Sequence, residues 1–326
     1  MLSISNVLAR RESQVIAARF VQAPSPWWGL FFLLIFIILC SLGHICSVIL
    51  TLAAIEDVDQ TASICLDDES PKDSETGDSL RKTPITSGFA SAFRHLRARG
   101  GIRSCFRGLG LSLAVTVAEM FLASLASVIS PLKSTSLLHL SLVQFVSCMP
   151  LATWQMACVH RMIADKSPRT KHRRMVGYRY WPRIAPAAAL FNSIVCVTTA
   201  LSFFLAESAS WVTISLDNPN IVVDVLFVTV INAFIANLLS LPAQIICIRV
   251  AASMLPEEDE AIVPFDPLFG GKVDPNVVDR SSLGIADAWK TFKWPARVRY
   301  LKLSFQVNGS YIALGALGSA LALMLR

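Results

Sequence analysis

Six stretches of this chain run for 18 residues or more with almost no Asp, Glu, Lys or Arg, and nothing else in it limits the fold as tightly. Residues 23–55 carry no formal charge, 108–132 carry one, Glu119, and 134–160, 184–206, 225–248 and 303–325 carry none. About 20 helical residues cross ~30 Å of hydrocarbon, so each stretch is long enough to span a bilayer. They are too long for the strands of an outer-membrane barrel and lack strict alternation. Backbone groups in lipid must bond internally, which predicts six transmembrane helices in an all-α membrane protein. Composition agrees: hydrophobic residues make up 54% and charged residues 16%, against about 25% charged in a soluble domain.

Residues 1–22 form an N-terminal segment with Arg10, Arg11 and Arg19 around Glu12. Its apolar rhythm fits an amphipathic targeting helix or a helix lying on the membrane surface. Trp27 and Trp28, behind Pro24 and Pro26, read as an interfacial anchor for the first span. The run that follows is too long for a signal peptide, and no small-residue cleavage site follows it.

Charge in the connections is uneven. Of 29 Lys and Arg, the connections between spans one and two, three and four, and five and six hold eight each. The connection between spans two and three holds Lys133 alone, and that between four and five holds none. The positive-inside rule puts the long loops in the cytosol, or in the matrix of a mitochondrial inner membrane. The net charge of +6 is then a topology signal, and no nucleic-acid partner is expected, because no basic-aromatic surface domain carries one.

The alternation of long and short loops suggests three hairpin repeats: 23–132, 133–206 and 221–326. Odd spans share a helix-break point two-thirds along, at Gly43, Pro150 and Pro242. Proline removes a helical hydrogen bond and glycine permits a bend. Two long loops also share a spacing: Phe89, Phe93 and Leu96 in the first, Ile285, Trp289 and Phe292 in the third, each among basic residues. Both predict short amphipathic helices on the basic face.

The sharpest motif is Gly101-Ile102-Arg103-Ser104-Cys105-Phe106-Arg107-Gly108, running into span two. It resembles the signature of the mitochondrial carrier family, acidic-Gly-x-x-x-x-aromatic-basic-Gly, with Gly100 in the acidic place. Gly101, Phe106, Arg107 and Gly108 carry the match, and the resemblance covers roughly residues 25–325. It implies a solute transporter of a mitochondrial membrane, with a central cavity and a gate at the odd-span breaks. The resembled family places three charges after each break. Here those places hold Ile45, Val48 and Leu50; Ala152, Gln155 and Ala157; Gln244, Cys247 and Arg249. Arg249 is the surviving charge, and Gln155 and Gln244 are neutral polar substitutes. A three-fold ionic latch cannot form from these residues, so either the gate uses hydrogen bonds and packing or the fold no longer alternates. Val263-Pro264-Phe265-Asp266, with Phe269–Val273 after it, also resembles a divergent fungal group of six-span carrier-like proteins, some called ubiquitin carriers. Nothing in the chain resembles a ubiquitin-conjugating domain, so that label is set aside.

Two loops interrupt the repeats. Residues 56–83 are acidic and rich in Ser and Thr, which predicts disorder. Residues 256–280 hold Pro264-Phe265-Asp266-Pro267-Leu268-Phe269 at their centre, a piece expected to dock, either as a buried plug or as a partner-binding strip. A protein partner would enter through 56–83 or 256–280.

Glu119 is the acid deep in a span. A mid-bilayer charge costs roughly 2.5–3.5 kcal/mol, so it faces a cavity or a partner. The resemblance implies substrate contacts from the even spans: Val115, Glu119 one turn further along the same face, Asn192 and Asn308. For each, a structural hydrogen bond between helices is the competing reading. The eight cysteines show no metal or disulfide spacing. No cofactor, metal site or catalytic motif is found, and the chain is not expected to be an enzyme. Two functions stay open: a carrier-like solute transporter with a degenerate gate, and a carrier-derived membrane scaffold or adaptor that transports nothing.

Overall fold

The computed structural model describes residues 26–57, 84–129, 137–166, 177–208, 221–255, 259–273 and 282–324. The N-terminal segment 1–22 and most of the acidic loop lie outside the described residues. Helices follow the apolar stretches: α1 (Pro26–Ile55), α2 (Phe89–Cys105), α3 (Leu109–Ile129), α4 (Leu137–Cys148), α5 (Ala152–Ile163), α6 (Trp181–Ser208), α7 (Ile221–Ser253), α8 (Ile285–Lys290) and α9 (Trp294–Met324). Two short strands, β1 (Ala164–Lys166) and β2 (Glu260–Ala261), pair antiparallel.

Among the described residues, five helical segments are long and apolar enough to cross a membrane: Ile37–Ile55, Leu109–Ile129, Ser141–Ile163, Tyr178–Leu201 and Phe234–Ser253. The chain is therefore mostly helical and an integral membrane protein. The sixth predicted stretch, 303–325, lies almost wholly in α9 and is not among these five.

The predicted break points behave differently from one another. At Pro150 the third span tightens into a 3₁₀ turn, Met149–Leu151, between α4 and α5. Pro242 sits inside α7, which continues past it, since one missing N–H removes one bond and neighbours hold the rest. Through Gly43 α1 is unbroken, because glycine allows a bend without forcing one. The chain divides into two compact units after that residue, Met1–Gly43 and His44–Arg326. The described part of the first unit is one helix with Leu30, Leu33, Leu34, Ile37 and Ile38 exposed, as a lipid-facing surface requires.

Within the second unit, α6 packs on α4, α5 and α7, α3 packs on α4 and α5, and α9 packs on α7 and α2. Among the described residues of α3, Val115 is the buried one, and Leu113, Val117, Met120, Phe121 and Leu125 face outward. The core gathers at the C-terminal ends of α1, α5 and α7, from Val48, Ile49, Leu52, Ile55, Met156, Ile163, Ile245, Ile248 and Ala251. The first loop helix keeps its expected face, with Leu96 of α2 buried and Phe89 and Phe93 packed against the core; in the third loop Trp289 packs against the core and Phe292, just past α8, is buried, but Ile285 is exposed.

Candidate functional site

Three helix ends are joined to one another by polar groups. Thr51 Oγ1 on α1 donates to Ser47 O at 2.8 Å and lies 3.7 Å from Met162 Sδ on α5. His160 Nε2 on α5 lies 2.7 Å from Ala251 O on α7. Arg249 Nη1 on α7 donates to Ala54 O on α1 at 3.1 Å. The contacts close a ring: α1 to α5, α5 to α7, α7 to α1. Apolar side chains fill the rest, so each bond is shielded from water and holds more strongly than it would at a surface.

Arg249, the surviving charge, makes the most of this ring. It is 6% exposed. Its Nη2 donates to Thr291 Oγ1 at 2.9 Å, and its guanidinium sits 4.7 Å from the Phe269 ring and 5.2 Å from the Phe292 ring. Its Nε is buried without a hydrogen-bond acceptor. A cavity of about 180 Å³ opens beside it, lined by Asp57, Asp266, Phe269, Thr291 and Lys293 among others.

Glu56, placed by sequence at the head of the acidic loop, is instead tied in. Its carboxylate accepts from Ile85 N at 2.6 Å, from Thr86 N at 3.0 Å and from Thr86 Oγ1, and it pairs with Arg299 at 3.5 Å. Arg299 Nη2 also donates to Glu56 O at 3.1 Å. Burial lowers the pKa of Arg299, which precedes the apolar run of α9, while Glu56 and Asp57 act against that. The pair joins the end of α1 to the start of α9.

The signature turn is anchored on the same side. Gly101 and Gly108 take φ of 64° and 77°, conformations open to glycine at little cost. Gly101 marks a kink inside α2, and Ser104 Oγ caps it by bonding Gly101 O at 2.8 Å. Phe106 packs against the core. Arg107 donates to Asp165 O and to Asp165 Oδ1, both at 2.7 Å, and to Ala164 O. His44 Nε2 lies 2.9 Å from Arg107 O. The signature arginine thus holds the strand that follows α5.

A second polar feature lies further into the spans. Gln155 Nε2 donates to Glu119 Oε1 at 2.8 Å, bringing two predicted site residues together across α5 and α3. Val115 stands one turn before Glu119 on α3, and the two asparagines make their contacts elsewhere. Val115 is buried. Asn192 is buried with Nδ2 3.9 Å from Met149 Sδ. Asn308 donates to Ser304 O at 2.7 Å, and Ser304 Oγ reaches Asn237 Oδ1 at 3.4 Å, linking α9 to α7. Gln244 is half-buried on α7. Sequence reasoning missed Thr51, His160 and the Glu56–Arg299 pair. The signal for the last was an acid directly after an apolar run of 33 residues, in a place where burial is natural.

Compared with known proteins, the chain matches no family model and none of the curated proteins.

Proposed function

We propose that this chain is a carrier-like solute transporter of six spans in three hairpin repeats, resident in a mitochondrial membrane. Its gate is made of hydrogen bonds and apolar packing in place of ion pairs. The observation that carries the reading is the ring Thr51–Met162, His160–Ala251 and Arg249–Ala54, which joins the ends of the three odd spans. Such a ring closes one end of a pathway and can open without separating bare charges in lipid. The Glu119–Gln155 pair supports it as the solute contact, a polar pair within two otherwise apolar spans. That setting favours an uncharged or lipid-like solute with a hydrogen-bond donor for Glu119.

Purified protein in liposomes is expected to take up at least one solute from a panel of uncharged and amphiphilic metabolites. Glu119→Leu is expected to lower that uptake by at least about tenfold, since a buried hydrogen bond to a charged group is worth at least ~1.5 kcal/mol. If no solute moves, the carrier-derived scaffold is the reading that remains, and partner capture through 56–83 or 256–280 becomes its test.

A further inference from the structure

Residues 259–273 cross all three ends of the ring. β2 lies antiparallel to β1, with Ala261 opposite Ala164, and Ile262 N donates to Ile163 O at 2.9 Å, which holds the end of α5. Asp57 N, just past α1, donates to Pro264 O at 3.2 Å. Phe269 lays its ring 4.7 Å from the Arg249 guanidinium of α7. Ile262, Val263, Phe269 and Val273 are buried in the core. The turn that delivers Phe269 is built for the purpose. Asp266 accepts from Leu268 N at 2.9 Å and from Gly270 N at 2.5 Å, and φ is 49° at Phe269, 71° at Gly270 and 74° at Gly271. A phenylalanine rarely adopts the left-handed region, and here the ring contact with Arg249 and the Asp266 bonds hold it there.

We infer that residues 259–273 are a latch over the ring, and that the ends of α1, α5 and α7 separate only after this segment lifts. The inference rests on the transport reading above and adds the element that governs its gate. Arg249 couples the two, because one guanidinium holds Ala54 O across the helices and stacks under Phe269. The latch is also reversible by construction. Closed, it leaves the Arg249 Nε–H buried without an acceptor. Lifted, it lets water reach that donor, so part of the closed state's advantage is returned on opening.

The test places Met162→Cys in the ring, in full-length protein whose native cysteines are replaced, and alkylates it in nanodiscs with a charged maleimide. Adding Phe269→Ala is expected to speed alkylation by at least about tenfold, the size of a population shift that one lost stacking contact supports. Equal rates at equal helical content overturn the latch. In a second variant, Ala164→Cys with Ala261→Cys joins the facing strand residues. Oxidation is expected to stop solute uptake in liposomes and reductant to restore it; uptake indifferent to oxidation overturns the latch as well. If neither the parent nor any variant moves solute, the transport reading fails by itself, and the alkylation rates still decide the latch.

Discussion

Glu119 carries a carboxylate into an apolar helix, and Gln155 supplies the donor that makes this tolerable. Gln155→Leu removes that donor and keeps the acid, so a loss of about 1–3 kcal/mol in stability is expected, read as earlier thermal unfolding in nanodiscs. Glu119→Gln is expected to cost less, because two amides still bond. Arg249 makes a different use of charge. Its guanidinium lies over two phenylalanine rings while two of its nitrogens donate. Arg249→Lys keeps the charge and loses the fork and the stacking, so about 1–3 kcal/mol is again expected to go, measured the same way. Glu119, Gln155 and Arg249 each stand out in sequence, as polar groups where apolar ones are the rule. That the first two meet, and that Arg249 finds Ala54 and Thr291, does not show there, because the rotation of one helix against another is set by packing over the whole interface and leaves no local mark.

The signature turn shows what spacing does announce. Two glycines seven residues apart, with an aromatic and a basic residue before the second, predict a tight entry into span two, and both glycines take positive φ. Gly101 combines φ 64° with ψ −159°, a region essentially reserved for glycine, so alanine there costs about 1–3 kcal/mol. An alanine Cβ at Gly108 meets Arg161 Cβ and Met162 Cγ at 3.5 Å and Cys158 O at 3.7 Å, ordinary packing distances, and strains the positive φ alone. Gly101→Ala is therefore expected to lower the melting temperature more than Gly108→Ala does. The amphipathic spacing of Phe89, Phe93 and Leu96 likewise reads out as α2. The anchoring of Arg107 on Ala164 and Asp165 had no such sign, since it joins two loops that are remote in sequence. Its removal in Arg107→Ala is expected to speed amide exchange across residues 164–166 while leaving α3 unchanged.

Across the chain, the apolar stretches and the basic loops predict helices in lipid with their long connections on one face, and five described helices meet the length and apolarity of a span. Sidedness has a direct check. In sealed vesicles lacking native cysteines, a cysteine at Ser74 and one at Ser210 are expected to react with an impermeant reagent from opposite sides. The tie between Glu56 and Arg299 spans 243 positions, and no periodicity foretells a bond of that reach. Losing one member of such a buried pair costs about 3–5 kcal/mol, so Glu56→Gln and Arg299→Met are each expected to destabilise strongly, and the double variant less than their sum. The same tie imposes an order on biogenesis. α1 is synthesised with an acid just past its end whose cationic counterpart belongs to α9, 243 positions later. Until that helix arrives, the nascent protein holds an unneutralised carboxylate at the membrane border, and a chain cut short by a premature stop keeps it for good, a ready mark for quality control.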